Sequence, residues 1–120
     1  MSHVVVIATK VQDPVAVAAA CRRLGLAEPV YGSAELFSGE VAGLVVRLPD
    51  WVYPVVVDTT TGRVAYDDFE GRWGDPKQLD RFLQVYAVEK AKLEAKRKGY
   101  SVSEQALHDG SIRVEIVEAR

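Results

Sequence analysis

Pro54-Val55-Val56-Val57-Asp58-Thr59-Thr60-Thr61-Gly62-Arg63-Val64-Ala65-Tyr66 sets two short apolar runs on either side of a Thr-Thr-Thr-Gly turn. Val55, Val56 and Val57 make the first run β-branched, and Gly62 can take the positive φ that closes such a turn. Pro54 to Asp58 and Arg63 to Tyr66 are therefore expected as adjacent antiparallel strands. Upstream the same texture reaches back to Pro29, with short alternating runs broken by Gly, Pro and Asp, and strands are expected at Ala34 to Phe37 and Gly43 to Leu48. Leu44, Val46 and Leu48 alternate with Val45 and Arg47, which predicts the first set on the core face. From Pro29 to Glu70 the chain reads as an antiparallel meander.

Each flank of the meander carries a helix signal. Asp13-Pro14 supplies an N-cap and a proline at the first helical position, and Val17, Ala20, Cys21 and Leu24 form one apolar stripe that Gly25 ends. Asp75-Pro76-Lys77-Gln78 repeats the start and adds Gln78 at the third helical position, where it can close a capping box. Leu79, Phe82, Leu83, Tyr86 and Leu93 mark the buried stripe of this second helix, and Gly99 stops it. At 1.5 Å per residue it is about 35 Å long, more than short strands can cover, so part of it is expected to overhang. Val4 to Ala8 reads as a central strand. Ser101 to Leu107 and Ile112 to Val117 read as a hairpin across Asp109-Gly110, with Ile112, Val114 and Ile116 inward and Arg113 and Glu115 outward. The order βαββββαββ predicts an α+β fold in two layers, an antiparallel β-sheet with two helices on one face. The two Asp-Pro starts hint at a duplicated βα unit, but this dipeptide caps many unrelated helices.

The 120 residues fit one domain, 1–120, and 48% hydrophobic with 27% charged residues is an ordinary globular composition. A formal charge of −2 gives no general attraction for phosphates, so DNA or RNA would need a local basic patch. Cys21 is the one cysteine, too few for an intrachain disulfide and consistent with a reducing compartment. Met1-Ser2-His3-Val4 lacks the cationic stretch of a signal peptide, and no run approaches the roughly 18 apolar residues of a membrane span. A cytoplasmic location without membrane attachment is expected.

Chemistry-bearing residues are sparse. Cys21 falls in the apolar stripe of the first helix, near its negative end, which disfavours a reactive thiolate. His3 and His108 are expected at strand ends in contact with water. Asp67, Asp68, Glu70 and Asp75 have the spacing of a solvated acidic loop and lack the pattern of a calcium loop. The nine glycines form neither phosphate-binding loop pattern. No catalytic residue, cofactor or metal is assigned.

Two features remain. Lys90, Lys92, Lys96, Arg97 and Lys98 make the end of the second helix basic, with Tyr100 the one aromatic nearby; dipole-complementing cations on a solvated overhang explain this better than a phosphate-tracking surface. Trp51, Tyr53 and Trp73 stand in loops, where they either anchor a protein partner or lid the core.

Met1-Ser2-His3, Tyr86-Ala87, Lys98-Gly99-Tyr100-Ser101-Val102, Glu104-Gln105 and Asp109-Gly110-Ser111-Ile112-Arg113 together resemble the family of the conserved plastid reading frame Ycf thirty-five, found in algal plastids, cyanobacteria and other bacteria. Relatives carry Tyr-His where this chain has Val88-Glu89. The resemblance implies a compact domain of unassigned function. Genes of that family often neighbour one for an AAA-type ATPase, which implies an accessory or adaptor role. A non-catalytic, protein-binding domain is thus the leading expectation. A nucleic-acid-binding module using the basic helix end comes second, and an enzyme or small-ligand protein third.

Overall fold

The computed structural model describes the backbone of residues 4–7 and, in full, residues 10–118. Nine elements follow in the order β1 (Val4–Ile7), α1 (Pro14–Arg23), β2 (Val30–Leu36), β3 (Gly39–Val46), β4 (Val55–Asp58), β5 (Arg63–Asp67), α2 (Pro76–Arg97), β6 (Ser101–Ala106) and β7 (Ile112–Val117). Five strands pair antiparallel in the order β1-β5-β4-β3-β2. Both helices lie on one face of this sheet, where Val17, Ala20, Cys21, Phe82, Val85 and Tyr86 meet Leu44, Val46, Val55, Val57 and Val64 in one core. The fold is the two-layer α+β arrangement its alternating patterns imply.

Both helices are held by the residues at their ends. The Asp13 carboxylate accepts from the Val15 and Ala16 N–H groups, and that of Asp75 from Lys77 N–H. At the far ends Gly25 and Gly99 adopt φ of +70° and +76°. Leu26 N–H then reaches back to the Cys21 carbonyl, and Tyr100 N–H to that of Ala95, satisfying acceptors the helices leave open. The Asp75 carboxylate caps the second helical position, and Gln78 returns no side-chain bond to Asp75 among the described residues, so the expected capping box is not made.

Several expectations change. β1 lies at an edge, paired with β5 alone, and Ala8 falls outside the described residues. An apolar run specifies a strand but carries no information on how many neighbours it has. β2 begins at Val30, and the β2–β3 turn is Phe37-Ser38, with Leu36 opposite Gly39. Gly32 and Ser33 resemble turn residues, yet they sit mid-strand. The α2 stripe also buries Val85 and Val88. β6 and β7 form a separate two-stranded sheet packed beside α2, while the C-terminal half of α2, expected to overhang, stays in contact with the rest of the fold through Leu93 against the core and through Lys90 and Arg97 on Asp13. Within this hairpin Ile112 and Val114 are half-buried, while Ile116 is exposed.

Candidate functional site

The loop after β3 and the loop after β5 are stitched together. Val52 N–H donates to the Trp73 carbonyl at 2.8 Å, and the Trp51 indole Nε1–H donates to the Asp75 carbonyl at 3.2 Å. The Trp51 ring lies so close to Gly74 that a Cβ there would fall 2.2 Å from Cδ2. It meets Tyr66 edge-on at 5.9 Å and packs against the core. Trp51 is therefore a lid.

Trp73 has a different role. Its N–H donates to the Asp68 carbonyl, which also accepts from Gly71, and between them Phe69 and Glu70 take φ of +45° and +57°. Two successive non-glycine residues in the left-handed region cost about 1–2 kcal/mol each, a strain that the surrounding contacts must offset. The sharp turn places the Phe69 ring in a stack on Trp73, centroids 4.6 Å apart. Phe37 meets the same indole at 5.1 Å and Tyr53 meets it edge-on at 5.5 Å, while the Arg72 guanidinium covers the Phe69 ring at 5.2 Å. Trp73 is thus the hub of a four-ring cluster drawn from three loops. At its margin Phe37 is 54% and Val52 60% exposed. Phe37 and Phe69 had no distinguishing signal in the sequence, because their neighbours come from other loops.

The basic end of α2 is largely paired. Lys90 bonds Asp13 and Glu94, Lys92 bonds Glu89 and Glu104, and Arg97 reaches Glu94 and Asp13. From α1, Arg23 adds pairs to Glu89 and Glu104, fastening the hairpin to both helices. The bonds to Glu94 and Asp13 hold Lys90 above the usual lysine range, and those to Glu104 and Glu89 do the same for Lys92. Lys96 and Lys98 make no ion pair among the described residues; Lys96 lines a groove of about 420 Å³ with Lys92, Leu93, Tyr100 and Val102.

The acidic loop is not uniformly solvated. Asp68 and Asp75 serve as local caps, whereas Asp67 is fully buried, with both carboxylate oxygens unpartnered among the described residues. The last residue of β5 turns its side chain to the face opposite the helices, away from water. Among the described residues no three His, Cys, Asp or Glu side chains gather as metal ligands, and no helix is long and apolar enough to cross a membrane. Burial pushes the Cys21 thiol up to about 11, so it stays protonated and inert near neutral pH. His108 is exposed beside its turn, and His3 lies outside the described residues.

No family model, curated protein or solved structure matches the chain.

Proposed function

We propose that this chain is a non-catalytic accessory domain of the cytoplasm that binds another protein through the face built by Tyr53, Phe69 and Trp73, with Val52 at its rim. The carrying observation is that Val52, 60% exposed, is mounted by a backbone bond on the hub of a pre-stacked aromatic cluster. Rigid aromatics beside an exposed apolar side chain give contact area at little entropy cost, the usual make-up of an interface anchor. The commitment of Lys90, Lys92 and Arg97 to carboxylates supports a protein partner over a nucleic acid. The resemblance to the Ycf thirty-five family supports an AAA-type ATPase as that partner.

The test is titration calorimetry of the full chain against the purified AAA-type ATPase of the same host. Val52→Asp should weaken binding at least tenfold while leaving the melting temperature unchanged, since Val52 makes no core contact. Equal affinity for the wild type and Val52→Asp, or no binding by either, overturns the proposal.

A further inference from the structure

β2 is the other edge of the main sheet, seven residues long against four in β1. Leu36 and Gly39 flank a two-residue turn, so they form a hydrogen-bonded pair, and the alternation of an antiparallel ladder then commits Val30, Gly32, Ala34 and Leu36 to β3. The N–H and C=O groups of Tyr31, Ser33 and Glu35 consequently point away from the sheet. No described backbone group outside β3 bonds to them. Soluble proteins usually protect such an edge with proline, lysine, a bulge or a covering element. Within β2 there is no proline and no lysine, Glu35 is its one charged side chain, and Val30 and Tyr31 are 64% and 59% exposed.

We propose that β2 pairs antiparallel with β2 of a second copy, about a two-fold axis through Ser33, joining two five-stranded sheets into one of ten strands. The strand is complementary to itself in this register. Tyr31, Ser33 and Glu35 of one copy oppose Glu35, Ser33 and Tyr31 of the other, all three pairs in the hydrogen-bonded class, and no like charges meet. On the other face Val30 opposes Leu36, and Gly32 opposes Ala34. The next step places the exposed Phe37 of one copy opposite Pro29 of the other. That is beside a groove of about 370 Å³ lined by Ala27, Glu28, Val30, Tyr31, Val45 and Arg47. One operation thus covers the open edge, its two exposed apolar residues and the exposed ring at the turn. A heterologous strand would gain the backbone bonds but not this reciprocal fit.

The test is sedimentation velocity on the full chain from about 1 to 500 µM, with three variants at position 33. The side chain is exposed, and its N–H is unused within the chain, so proline is tolerated there by the monomer. The wild type should sediment at twice the 13.2 kDa chain mass at the upper concentrations, and Ser33→Pro should stay monomeric with unchanged circular dichroism. Ser33→Lys places like charges across the axis and covers the case in which proline unfolds the chain. Ser33→Lys and Ser33→Glu should each be monomeric alone and dimerise when mixed. A wild type that remains monomeric to 500 µM, a mixture that fails to dimerise, or a Ser33→Lys variant that dimerises like the wild type overturns the pairing.

Discussion

Asp13 ties the start of α1 to α2. Oδ1 caps α1 at Val15 and Ala16, Oδ2 accepts from Lys90 at 3.0 Å, and the residue's own N–H donates to the Tyr86 hydroxyl. Burial pushes its pKa up, but the bonds from Lys90, Ala16 and Val15 outweigh this and hold it below the usual aspartate range. Because the folded value lies below the unfolded one, the carboxylate's stabilisation is complete above the unfolded pKa of about 3.9. It is lost as pH falls through the folded value. Urea midpoints should show the wild type ahead of Asp13→Ala by about 1–2 kcal/mol at about pH 6, mostly the lost cap, and the gap should narrow steadily below about pH 4. A gap independent of pH would show that the charge of Asp13 contributes nothing. Asp-Pro made this cap legible in the sequence. The burial of Asp67 was not legible, since nothing in Tyr66-Asp67-Asp68-Phe69 distinguishes a side chain turned inward from one in a solvated loop.

At the scale of elements, local grammar was readable and partnerships were not. Both helices begin at Asp-Pro and end at glycine as their sequences imply, because caps depend on residues a few positions away. β2 was half missed because Gly32 and Ser33 favour turns, and only pairing with β3 overrides that preference. Gly43 shows how narrow the pairing is. It lies opposite Gly32 at φ +157°, and a Cβ there would fall 2.6 Å from the Val57 carbonyl oxygen and 3.0 Å from Val56 Cγ1. The backbone obstacle cannot rotate aside, so Gly43→Ala must push β4 from β3. It should lower stability by about 1–3 kcal/mol. Gly32→Ala, with open space around its Cβ, should cost less than about 1 kcal/mol. Equal denaturation midpoints for the two variants would refute the close approach of β4.

For the whole molecule, strand order and the separate hairpin lay beyond the sequence, because alternation shows which face of a strand is buried and not which strand covers it. The consequence is an elongated shape. A radius of gyration of 15.2 Å and extents of 55 × 32 × 24 Å exceed the roughly 14 Å radius of a compact chain of this length. β6 and β7 contribute no residue to the main core, and they are fastened by the Arg23–Glu104, Lys92–Glu104 and Gln84–Gly110 contacts with a few half-buried apolar residues. Contacts of that kind are individually weak in water. The hairpin should therefore open without the sheet. In native-state hydrogen exchange the amides of β6 and β7 should exchange through local opening, at least a hundredfold faster than those of β4 and β5. Glu104→Gln should raise the hairpin's rate severalfold while leaving the β4 and β5 rates unchanged. Uniform protection across all nine elements would instead make the hairpin part of a single cooperative unit, and the ion pairs that fasten it would then matter to global stability.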